Sequence, residues 1–223
     1  MALFIHCGYD LEKHTSYFNL LEQLKDPACP ICAQGFKSVQ SFLDSYLYEG
    51  VNDDTNWNRL SAAGGWCGRH GRQMEGFSDG LAVALFYRHE IRKRIKNLGK
   101  RREGGWFSPK VSKPPCPACV YEDEVESSQL HLFSGAWDEP EFREAMQGHP
   151  GLCIPHIEGA LGLMQGEGAE AFKANSGQKL EALCLELDEM VAKSDYRSEQ
   201  RMGAEGGAWK RALRRVFGPE DYH

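Results

Sequence analysis

With 223 residues, 41% of them hydrophobic, the chain has enough apolar material for a real core and fits one large domain or two small ones. A formal net charge of −6 excludes a nucleic-acid binder that works through overall charge, and leaves room only for a local basic patch. Met1-Ala2-Leu3-Phe4-Ile5 carries no basic leader and no apolar run reaches the length of a membrane span, so a cytoplasmic protein with no membrane contact is expected.

From Thr15, the residues Phe18, Leu21 and Leu24 recur at helical spacing and stop at Asp26-Pro27, which predicts a short lead-in helix. Cys29-Pro30-Ile31-Cys32 follows. Pro30 suits a first helical position, where its missing N–H would be unpaired anyway, and Phe36, Val39, Leu43 and Leu47 trace an apolar stripe beyond it. Asn52-Asp53-Asp54 offers cap chemistry for a short helix carrying Trp57 and Leu60, which stops at Gly64-Gly65. Immediately after comes Trp66-Cys67-Gly68-Arg69-His70. A long helix is then expected, with Phe77, Leu81, Leu85, Ile91, Ile95 and Leu98 on its apolar face and one slip in phase. Gly104-Gly105 with Pro109, Pro114 and Pro115 marks a linker.

The pattern then restarts. Cys116-Pro117-Ala118-Cys119 is answered by Cys153-Ile154-Pro155-His156 after 33 residues, as the first cysteine pair is answered by Cys67-Gly68-Arg69-His70 after 34. Phe142 stands four residues after Asp138 as Trp57 does after Asp53, and Gly151 precedes its cysteine as Gly65 does. Farther on, Leu180, Leu183, Leu187 and Val191 share a helix face. A polar stretch from Lys193 to Gly207 separates them from a last helix, Trp209 to Phe217, which Gly218-Pro219 stops. Strand-like alternation is absent. The expected fold is all-α: two tandem metal-stapled helical repeats, residues 1–103 and 116–167, joined by a linker at 104–115 and followed by a helical extension over 168–223.

Six of the eight cysteines fall in these pairs. In a reducing compartment, cysteines two residues apart serve as metal ligands or redox centres more often than as disulfides. The candidate ligands are Cys29, Cys32, Cys67 and His70, then Cys116, Cys119, Cys153 and His156. The spacing leaves open whether pairs meet within a repeat or across repeats. Zinc takes four such donors in a tetrahedron, which makes two Zn²⁺ the first expectation and two iron–sulfur clusters the alternative. A thioredoxin-type dithiol would need a strand that the chain lacks. With four ligands at each site no position is open for water, and no catalytic residue is assigned. Cys7 and Cys184 read as packing residues. His6, His14, His89, His131 and His149 read as structural or exposed.

Arg88, Arg92, Lys93, Arg94, Lys96, Lys100, Arg101 and Arg102 form a basic run at the end of the expected long helix. Positive charge is favourable at a helix C-terminus, and a solvated face accounts for most of it. The sharper reading is a nucleic-acid surface over Arg88–Arg102, with Trp106 and Phe107 placed to stack on bases.

The succession CPxC, helix, short acidic turn, GxCxxH and a repeat of the whole ends in a tail running from Asp195-Tyr196-Arg197 through Trp209-Lys210-Arg211-Ala212. From Tyr17 to Gly218 it resembles an uncharacterised bacterial family classed as a domain of unknown function, and departs from it at Ser198-Glu199-Gln200. The resemblance implies a helical cytoplasmic protein marked by the two quartets, without an activity. Three functions are thus expected in order: a metal-binding scaffold or adaptor for a protein partner, an iron–sulfur electron-transfer or redox component, and a nucleic-acid-binding regulator.

Overall fold

The computed structural model describes residues 15–49, 53–77, 80–98 and 113–218. Among them the chain is all-α, with helices α1 (Thr15–Gln23), α2 (Pro30–Glu49), α3 (Asp54–Ala63), α4 (Gly68–Gln73), α5 (Gly80–Asn97), α6 (Pro117–Ala136), α7 (Pro140–Gly148), α8 (Ile154–Leu163), α9 (Gly166–Lys193) and α10 (Ala208–Phe217). No described helix is long and apolar enough to cross a membrane. Asn52, most of the linker, Lys100 to Arg102, Trp106, Phe107, Cys7, His6 and His14 lie outside the described residues.

The chain divides into two compact units, Met1–Gln34 with Glu126–His223, and Gly35–Val125. The boundaries fall inside α2 and α6, so each of these 20-residue helices begins in one unit and ends in the other.

In the first unit, Tyr17, Leu20 and Leu24 of the α1 segment are buried in a core with Phe133, Trp137, Phe142, Met146, Leu152 and Phe172. Phe133 meets Phe142 edge-on at 5.3 Å between centroids, and Trp137 meets Phe172 in the same way at 4.9 Å. The stripe expected on α1 is rotated. Phe18 is exposed, and Tyr17 takes the inward place because its ring is apolar although its tip is not. Pro140 and Pro155 each open a helix, where a missing N–H leaves no bond unmade. α9 begins well before the leucine stripe, and its buried residues are Phe172 and Ser176, while Val191 is exposed. Cys184 is exposed as well, so it is not a packing residue.

In the second unit, Val39, Leu43 and Leu47 of α2 are buried with Leu60, Trp66, Met74, Ala82 and Phe86. Asp53 caps α3 by accepting from the Thr55 N–H at 2.8 Å, and Gly64 ends it in the left-handed conformation. The expected long helix is interrupted. α4 gives way to a 3₁₀ turn over Met74–Gly76, Phe77 is extended, and α5 starts afresh at Gly80. α5 is also rotated from the expected face: Ala82, Phe86 and Glu90 are buried, whereas Leu81, Ile91, Ile95 and Leu98 are exposed.

Candidate metal centres

All four ligand pairs sit where helices begin. Cys29 and Cys116 directly precede α2 and α6, and Cys67 and Cys153 are the N-cap residues of α4 and α8. A helix N-terminus offers unpaired N–H groups and the positive end of the macrodipole, both favourable to a thiolate. Cys116 Sγ accepts from the Cys119 N–H at 3.4 Å and Cys67 Sγ from the His70 N–H at 3.5 Å. Two glycines shape the approach to the cysteine–histidine pairs. Gly65 has φ +97° and Gly151 φ +105°, and a Cβ at Gly151 would lie 3.0 Å from the Arg215 guanidinium.

The pairs meet across the repeats. Cys29, Cys32, Cys153 and His156 form the first centre, and Cys67, His70, Cys116 and Cys119 form the second, each with four donor atoms within 4.8 Å of one another. The order of the motifs suggests that each CPxC closes on the next CxxH, but helix length works against this. The outgoing α2 has 20 residues and runs about 30 Å, whereas the returning α3 has 10 and covers about half as much.

In both centres the imidazole turns Nδ1 to the sulfurs. His156 Nδ1 lies 3.4, 3.3 and 3.0 Å from Cys29, Cys32 and Cys153. His70 Nδ1 lies 3.3, 3.3 and 3.5 Å from Cys67, Cys116 and Cys119. Each Nε2 faces a carboxylate on α6: Glu126 at 3.1 Å from His156 and Glu122 at 3.6 Å from His70. An Nε2–H directed at a carboxylate leaves the Nδ1 lone pair for an ion. Arg69 grips Glu122 with both terminal nitrogens.

Within each centre the pKa values of one thiol and of the imidazole shift in opposite directions. Burial opposes the charge on His70, but Cys116 and Glu122 outweigh it and push its pKa up to about 9. Burial likewise opposes the Cys116 thiolate, yet the His70 bond prevails and brings that thiol down to about 6. Cys119 is pushed up to about 12 by burial and by Cys116 beside it. In the first centre burial again works against charge, and bonds to Cys153, Cys32 and His156 still hold Cys29 well below the ordinary thiol range. His156 rises to about 12 against its burial, through Cys153, Cys29 and Glu126. A divalent ion with three thiolates leaves a single net negative charge. One guanidinium is held next to a ligand residue of each centre, Arg69 by Glu122 and Arg215 by the Leu152 carbonyl.

The structure therefore places all eight sequence-derived ligands in quartets. Sequence reasoning missed Glu122, Glu126, Arg69, Arg215 and the role of His149. Glu122 stood one helical turn after Cys119, a spacing that signals a shared face once α6 is recognised. Arg215 donates to the Leu152 carbonyl at 2.5 Å, which gives the C-terminal tail a place at the first centre.

The chain is similar to an "Uncharacterized 23.9 kDa protein in xynA 3'region" of Caldicellulosiruptor sp. (strain Rt8B.4), 26% identical over 188 residues that cover 80% of this chain and 88% of that protein. It matches no protein-family profile and no solved structure. An all-α protein with two cysteine–histidine quartets and a distant uncharacterised homologue is what fold, site and comparison define together.

Proposed function

We propose that the protein is a helical scaffold stapled by one zinc ion in each quartet, which presents helix surfaces to a protein partner in the cytoplasm. Donor geometry carries the reading. Zn–S bonds of about 2.3 Å put two sulfurs of a tetrahedron about 3.8 Å apart. The Cys32–Cys153 and Cys67–Cys119 sulfur distances are 3.7 and 3.8 Å, and Cys116–Cys119 is 3.2 Å. A cluster that places several irons among its cysteines needs them farther apart. Four donors also fill the shell, which suits a structural ion better than a catalytic one.

The surface that supports the adaptor reading is the outer face of α5. Ile91 and Ile95 are exposed there, with Leu98 just past the helix end, and exposed Arg88, Arg92 and Lys96 accompany them. An apolar stripe with basic flanks fits an acidic amphipathic helix. Lys93 and Arg94 turn instead to the end of α3, where they donate to Ser61 Oγ at 2.5 Å and to the Gly64 carbonyl at 3.1 Å. Elemental analysis and an absorption spectrum of protein purified without chelator or oxygen test the metal. Two zinc ions per chain and no visible colour are expected. A brown protein with iron would replace this reading with the iron–sulfur one.

A further inference from the structure

The cysteines of the two centres are buried to different degrees. In the first, Cys29, Cys32 and Cys153 are all buried, at 5%, 7% and 2% exposure. In the second Cys116 is buried, but Cys67 and Cys119 are only half-buried. Cys119 Sγ also has a second sulfur within reach, Cys116 at 3.2 Å, across a two-residue spacing that a disulfide can close at a helix start.

We propose that the second centre is a modification site for hydroperoxides, at which a Cys116–Cys119 disulfide forms and the ion is released while the first centre keeps its own. This rests on reading the quartets as metal centres and assigns a regulation to one of them. The Cys119 sulfur, a thiolate for as long as it is a ligand of the ion, attacks the terminal peroxide oxygen. An S–O bond forms, the O–O bond breaks, and the departing alkoxide or hydroxide takes a proton from water. Cys116 then attacks the sulfenic sulfur, the S–S bond forms, and hydroxide leaves to be protonated to water. Two electrons pass from the two thiolates to the peroxide. Only Cys67 and His70 then remain on the ion, and half a shell does not hold it.

The test uses the full zinc-loaded chain with Cys7→Ser and Cys184→Ser, which removes the thiols outside the quartets. Hydrogen peroxide is added, zinc release is followed with a chromogenic chelator, and the thiols are mapped by alkylation and mass spectrometry. One ion per chain should leave roughly tenfold faster than the other, with a Cys116–Cys119 disulfide and intact thiols at Cys29, Cys32 and Cys153. Dithiothreitol should restore uptake. Equal release from both centres, earlier oxidation of the first, or no oxidation of the second at peroxide levels that oxidise free cysteine each overturns the proposal. Protein that carries no ion before peroxide overturns the metal reading instead, and the thiol map still ranks the two centres.

Discussion

His149 ties together the two loops that deliver ligands to the first centre. Its Nδ1 accepts from the Gly151 N–H at 2.8 Å, and its Nε2–H is shared by the Asp26 and Ala28 carbonyls at 2.9 and 3.0 Å. Both nitrogens are thus used by the neutral ring. Burial lowers its pKa; the two carbonyls oppose this, and the charges of Arg215 and Lys179 add to it. A second ring proton would confront the Gly151 N–H. Because the folded pKa lies below the unfolded value of about 6.5, stability from this group is present above pH 6.5 and is lost as pH falls below it. His149→Ala should cost about 1–3 kcal/mol, since it strands the buried Gly151 N–H. With zinc in excess, thermal melts from pH 8 to pH 5 should fall less steeply for the variant than for the wild type. Equal slopes would remove this role. Nothing in the sequence marked His149 out from the other unassigned histidines, because all its partners are backbone groups and two of the three are 121 and 123 residues away.

α5 shows which part of an element a sequence discloses. Caps and stops were legible at Asp53, Gly64 and Gly218, because each depends on one residue and its immediate neighbours. The residues that the structure gathers into the two clusters were legible from spacing alone, though not which pairs meet. The inward face of α5 was not, since the helix carries large apolar residues on two sides and periodicity cannot say which side meets a neighbour. Ala82 and Phe86 are buried, and Ile91 and Ile95 are more than half exposed. Phe86→Ala should therefore cost about 3–5 kcal/mol. Ile91→Glu with Ile95→Glu should shift stability by no more than about 0.5 kcal/mol per site, yet disrupt docking of an acidic amphipathic helix. Denaturant titrations of the two variants compare them directly. A larger loss from the isoleucine pair than from Phe86 would mean that α5 packs by its other face.

At the scale of the whole chain, the quartets decide how the repeats are stitched. α2 starts in one unit and ends in the other, and α6 does the same in the opposite sense, so a cysteine pair at the start of either helix belongs with the cysteine–histidine pair of the other repeat. Each centre then lies wholly within one unit. Zinc in model fingers supplies folding free energy of order 10 kcal/mol, comparable to the stability of a domain, so loss of one ion should weaken its own unit first. Metal counts on paired variants distinguish the two stitchings without a structure. Cys32→Ser with Cys153→Ser removes two ligands from one centre and should leave about one ion per chain, no fewer than Cys32→Ser alone. Cys32→Ser with Cys67→Ser strikes both centres and should leave almost none. Pairing within repeats demands the reverse, with the second variant keeping an ion and the first losing both. Circular dichroism of the same samples guards against a trivial outcome: the variant that keeps its ion should retain most of its helicity, and lose it when that ion is chelated.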